Sequence, residues 1–151
     1  MPEVISKGNV DIVLQHCVGT PENMQVSPNY TNLMDEIYLS LKKKRDLAIQ
    51  KGIMPERIIL DAGIGFGKTL ENNFEILKRI NELKTLNSPI MLGISRKSLL
   101  QIPDKNNELK DIYTLALNTL AIEHGVEYVR VHNVKLHRDL LMMLANGGFW
   151  S

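Results

Sequence analysis

Asp61 to Thr69 read "DAGIGFGKT", directly behind the apolar run "RIIL". A carboxylate at the end of a buried strand can face the mouth of a sheet. Glycines after it let backbone N–H groups approach a flat or anionic ligand closely. The segment ends like a nucleotide-binding loop, yet counting back five residues from Gly67 reaches Ala62, where such a loop needs glycine. A dinucleotide fingerprint starting at Gly63 and Gly65 fails as well, because Lys68 stands where its third glycine belongs. Two readings remain: a carboxylate that accepts hydrogen bonds from an amidine-like N–H edge, or a tight strand–helix turn with an N-terminal anchor.

Three more polar groups follow apolar runs. "PIMLGI" leads into Ser95-Arg96-Lys97-Ser98, two hydroxyls and two cations expected to open a helix. Such a helix start suits an anion, although a Ser cap with solvated charges fits too. "VEYVRVH" holds Arg130 and His132, which share a face with Tyr128 if the run is a strand. A bound anion explains an Arg inside an apolar strand better than packing does; His132 alone could be a satisfied core histidine. His16 ends the first apolar run next to Cys17, which is not metal-ligand spacing, and no cluster suggests zinc.

The elements that must position these residues alternate. Strands are expected at 10–16, 56–60, 89–94 and 126–132. Helical stripes are expected at Tyr30, Leu33, Met34, Ile37, Leu41 and Ala48; at Phe74, Leu77, Ile80 and Leu83; and at Ile112, Leu115, Thr119 and Ile122, with Gly125 as a cap. A last helix covers 134–145. Loops fill 17–29 and 102–109. Four strand–helix units with near-continuous apolar strands predict an α/β fold with a parallel sheet. The polar clusters then gather at the C-terminal ends of all four strands, where such folds hold ligands. "PEVISKGN" resembles the last turn of a helix capped by Gly8, as expected of a chain cut from something longer.

The bulk numbers exclude other classes. The chain has 151 residues, 44% of them hydrophobic, enough for one ordinary core. A net charge of +1 makes no electrostatic case for nucleic acid, and the run Lys42-Lys43-Lys44-Arg45 reads as a solvated helix face. The single cysteine, Cys17, agrees with a reducing compartment. No apolar run approaches the ~20 residues of a membrane span. A cytoplasmic protein is expected.

"LQHCVGTPENMQ", "ILDAGIGFGKT", "GISRKS" and "RVHNV", in that order, resemble the C-terminal part of the dihydropteroate synthase family. The resemblance implies a TIM barrel, of which residues 1–151 would be units five to eight, the C-terminal half of a (β/α)8 barrel. It also implies joining of a dihydropterin diphosphate to p-aminobenzoate in folate biosynthesis, with release of pyrophosphate and Mg2+ assistance. By the same resemblance Asp61 accepts hydrogen bonds from the pterin, Lys97 reaches the ring, and Gly65 and Phe66 line the pocket. Arg130 and His132 hold the diphosphate, and Ser98 meets the p-aminobenzoate carboxylate. Lys97, Arg130 and His132 are the expected catalytic groups. A dissociative substitution of this kind needs leaving-group stabilisation and orientation more than an acid–base pair.

The chain departs from the family pattern at Ala62 (usually Pro), at Val18 (usually Arg) and at Asn133 (usually Asp). The family's earlier loops, including its metal-contacting Asn, have no counterpart, so no metal ligand is assigned here. Rivals are a pterin-binding methyltransferase, against which "SRKS" argues, a non-catalytic pterin-binding or assembly half-barrel, and a P-loop-like phosphate binder. Self-association or a homodimer is expected.

Overall fold

The computed structural model describes residues 8, 10–17, 30–102 and 106–149. Four strands, β1 (Ile12–Gln15), β2 (Ile58–Asp61), β3 (Ile90–Leu92) and β4 (Tyr128–Val129), form one sheet in the order β1-β2-β3-β4. Every neighbouring pair is parallel. A parallel neighbour needs a crossover, and three helices supply it: α1 (Leu33–Gln50), α2 (Leu70–Arg79) and α3 (Asn107–Glu123). A fourth, α4 (Val134–Asn146), follows β4. The α/β fold expected from the alternation is therefore present.

Local chemistry sets the helix limits. Asn32 caps α1 by accepting from the Asp35 N–H, and the chain turns at Gly52 with φ 84°. Thr69 and Asn72 cap α2 reciprocally, at 3.2 and 3.1 Å. Gly125, at φ 91°, lies just past α3 as expected. The core joins α1 to the sheet through Ile37, Leu41, Ile58 and Leu60, and continues through Ile76 and Leu92. β2 is buried along its whole length, as a central strand of a covered parallel sheet should be.

Several expectations are corrected. β1, β3 and β4 are shorter than the runs expected to form them, β2 is shifted to end at Asp61, and β4 keeps only two residues. Arg130 and His132 thus lie beyond the strand, although the Arg130 N–H still donates to Leu92 O at 2.8 Å. Tyr30 precedes α1 and donates from its hydroxyl to Gly67 O at 3.2 Å. In α2 the buried residues are Asn73 and Ile76, and Phe74 is exposed. The α3 stripe is turned by one residue: Lys110, Asp111, Thr114, Asn118 and Ala121 face inward, while Ile112 is 49% exposed. That face is polar, and Asp111 and Asn118 on it bond Arg96 and His137 from other segments, so apolar periodicity pointed to the wrong side. The turn capped by Gly8, most of the loop at 17–29, and residues 103–105 of the loop at 102–109 fall outside the described residues.

Candidate active site

Asp61 is the last residue of β2 and is only 1% exposed. In the β1–β2 register it stands beside Gln15, whose Nε2 donates to Oδ2 at 3.0 Å. The Gly63 N–H donates to Oδ1 at 2.7 Å, and Arg130 Nη2 donates to Oδ2 at 3.1 Å. These donors offset the cost of burying a carboxylate. The tight turn that supplies the Gly63 donor needs φ 71°, which favours glycine.

Lys97 bends back over the glycine loop. Its Nζ donates to Ile64 O and lies 4.5 Å from the centre of the Phe66 ring. Gly65 leaves the space for this stem, since a β-carbon there would meet Lys97 Cδ at 3.2 Å. Burial lowers the Lys97 pKa; Asp61 opposes that and Arg130 adds to it. Gly93 performs the same service for Arg130, whose Nη2 would meet an added β-carbon at 2.7 Å.

His132 is held by Ser95. The Ser95 hydroxyl oxygen accepts from the His132 backbone N–H at 3.2 Å and lies 2.9 Å from Nδ1. With the hydroxyl donating to Nδ1, Nε2 carries the ring proton. Lys97, Arg130 and His132 line one cleft of about 270 Å³ together with Gly93, Ser95 and Val131. Asp61 joins it through Arg130.

"SRKS" does not open a helix. Its residues lead into a three-residue 3-10 turn, Ser98–Leu100, with Ser98 exposed at its start. Arg96 turns away to Asp111, which leaves Lys97 as the cation of this segment at the cleft. Gln15 and Asp111 join the site without having been candidates in the sequence; the parallel register that sets Gln15 beside Asp61 is the signal that could have found the first. Beneath the glycine loop, Lys68 donates to Gly63 O and Phe66 O at 2.9 and 3.1 Å, and burial pulls its pKa down to about 8. His16 beside it is pushed down to about 4, by burial first and then by Lys68 and Lys44.

This arrangement, a buried acceptor beside a cleft with two cations and an imidazole, suits a flat N–H-bearing ring joined to an anion. Residues 1–132 match the family model described as pterin binding enzyme.

The chain belongs to the pterin binding enzyme family.

It is 38% identical over 139 residues to the dihydropteroate synthase of a Synechocystis species, covering 89% of this chain and 48% of that protein. The Haemophilus influenzae dihydropteroate synthase is 31% identical over 140 residues, covering 92% and 51%. Among solved structures, Yersinia pestis dihydropteroate synthase in a sulfonamide drug complex superposes with a TM-score of 0.89 at 31% identity, covering 97% of this chain and 54% of that one. The Thermus thermophilus enzyme in complex with 4-aminobenzoate gives 0.87 at 28% identity, covering 96% and 60%. The chain spans about half the length of the curated relatives it matches.

The described residues offer a magnesium ion no ready cluster of ligands. Among the described residues no three His, Cys, Asp or Glu side chains converge. The Asp61 oxygens already accept from Gly63, Gln15 and Arg130. No helix of the described residues is long and apolar enough to cross a membrane.

Proposed function

We propose that this chain supplies units five to eight of a dihydropteroate synthase barrel, binding a dihydropterin diphosphate and p-aminobenzoate in the cytoplasm. The observation that carries the reading is the buried Asp61 carboxylate, held at the sheet mouth beside a cleft that brings Lys97, Arg130 and His132 together. Related proteins support it: the Thermus thermophilus synthase is known in complex with 6HMPPP and with 4-aminobenzoate, and the Xanthomonas albilineans synthase with 7,8-dihydropteroate.

In this reading Asp61 accepts hydrogen bonds from the pterin N–H edge, while Lys97 reaches the ring from a wall formed by Gly65 and Phe66. Arg130 begins on Asp61. Its side chain is half-exposed, so an arriving diphosphate can draw it away and free the carboxylate for the ring. Arg130 and the His132 Nε2–H then hold the departing pyrophosphate. The methylene carbon–oxygen bond breaks with its electron pair leaving on pyrophosphate, the p-aminobenzoate nitrogen forms the new bond, and that nitrogen loses a proton. Ser98 meets the carboxylate of p-aminobenzoate. Magnesium, implied by the resemblance, would neutralise the diphosphate from ligands other than these residues.

Calorimetry with a pterin and with inorganic pyrophosphate tests the assignment. Asp61→Ala should weaken pterin binding by about 2–4 kcal/mol, because charge-assisted hydrogen bonds vanish. Arg130→Ala should weaken pyrophosphate more than pterin. Equal losses of both ligands in both variants would defeat the reading. A polypeptide of residues 1–151 alone is expected to form no dihydropteroate above background; product detected by mass spectrometry would overturn that expectation.

A further inference from the structure

We infer that Asp111, on the inward face of α3, is a positioning residue that holds the loops carrying Lys97 and His132 in one geometry. The inference rests on the proposed function only for what binds in the cleft.

Asp111 is buried, and each of its oxygens takes one bond from Arg96: Nε to Oδ1 and Nη2 to Oδ2, both at 2.9 Å. This is the planar two-bond fork that fixes geometry as well as charge. Arg96 needs fixing, because its φ of 58° lies in the left-handed region that non-glycine residues avoid. Its neighbours are Ser95, which holds His132, and Lys97. Turning Arg96 toward α3 therefore sets the direction of both.

On the other loop, Asn133 Oδ1 accepts from the Leu136 N–H at 3.1 Å to cap α4. Asp111 reaches His132 through Arg96 and Ser95. Arg96 lowers the Asp111 pKa against the opposing effect of burial, with Asn133 and His132 adding smaller effects.

The test is 15N NMR of the imidazole rings in the 151-residue chain, the His132 signals being assigned by their loss in His132→Gln. The unaltered protein should show the Nε2–H tautomer at His132. In Asp111→Asn, with the far-UV circular dichroism unchanged, that tautomer should give way to a mixture, and pyrophosphate affinity should fall about tenfold. Asp111→Glu, which keeps the charge, should recover part of both. Should Asp111→Asn not fold, Arg96→Lys, with the charge kept but the fork lost, carries the same comparison. A His132 tautomer ratio unchanged in a folded variant would overturn the inference, whatever the affinity. If the unaltered protein binds no pyrophosphate, the proposed function fails on that count while the tautomer still decides the role of Asp111.

Discussion

Gly63 faces the carbonyl of His16 so closely that a β-carbon would lie 1.8 Å from the oxygen. Gly148 has nearly the same backbone, φ 77°, with nothing within 4 Å. Gly148→Ala should cost only about 1–2 kcal/mol, for the left-handed backbone. Gly63→Ala should cost on the order of 3–4 kcal/mol, because a strand end must move as well. Urea unfolding of both variants makes the comparison, and equal midpoints would show that the loop yields easily. His16 adds a pH dependence. Its folded pKa of about 4 lies below the ordinary 6.5, so the unfolded chain binds the proton more readily. The stability gained from the neutral ring is complete above about pH 6.5 and is lost as pH falls toward 4, by on the order of 2–3 kcal/mol. His16→Gln should flatten the stability profile between pH 7 and 4.5 relative to the unaltered chain. A variant that keeps the full slope would assign it to other groups. The Asp61, Lys97, Arg130 and His132 positions were legible in the sequence because each follows an apolar run, and a strand end faces the same mouth in every unit of a parallel sheet.

At the scale of elements, the inward face of α3 departs most from its apolar stripe. Asn118 is fully buried and its Nδ2 donates to His137 Nε2 at 3.0 Å, while His137 Nδ1 donates to Asn133 O at 2.9 Å. Removing the amide leaves an imidazole nitrogen buried without a donor. Asn118→Ala should therefore cost about 1–3 kcal/mol, whereas Ile112→Ala on the exposed side should stay within about 0.5 kcal/mol. An apolar stripe read from the sequence predicts the opposite ranking, so thermal melts of the two variants discriminate between the faces. The C-terminal limits of α1, α3 and α4, by contrast, were legible, because Gly52, Gly125 and Gly147 mark those ends through backbone chemistry that acts over a few residues, whereas Ile80 and Leu83 fall in a 3-10 segment beyond α2.

For the whole molecule the sheet is the decisive feature. Among the described residues β1 and β4 are the outer strands, each paired there on one side only, and unpaired strand edges template association. Beside β4 runs a groove of about 730 Å³ lined largely by apolar side chains, Val126, Val129, Leu141 and Met142 among them. Another, of about 260 Å³, lies between α2 and α3, where Phe74 and Leu120 are exposed. Apolar surfaces of this kind favour association. A polypeptide of residues 1–151 should consequently elute from a sizing column as a species larger than its 17.1 kDa mass. Light scattering that finds a monodisperse monomer with cooperative unfolding would show that the edges are protected.

The order of four strand–helix units, the C-terminal limits of α1, α3 and α4 and the residues at the sheet mouth follow from the sequence alone. Apolar runs, caps and glycine turns act between residues close along the chain, and the parallel α/β solution then leaves little choice about where strand ends meet. What the tertiary structure decided is which polar groups pair. Arg130 reaches Asp61 from 69 residues away, Arg96 leaves the cleft for Asp111, and α3 turns a polar face inward to receive it. A charge satisfied by a distant partner leaves no periodic trace. Its burial is favourable only after the fold has brought that partner within hydrogen-bond reach.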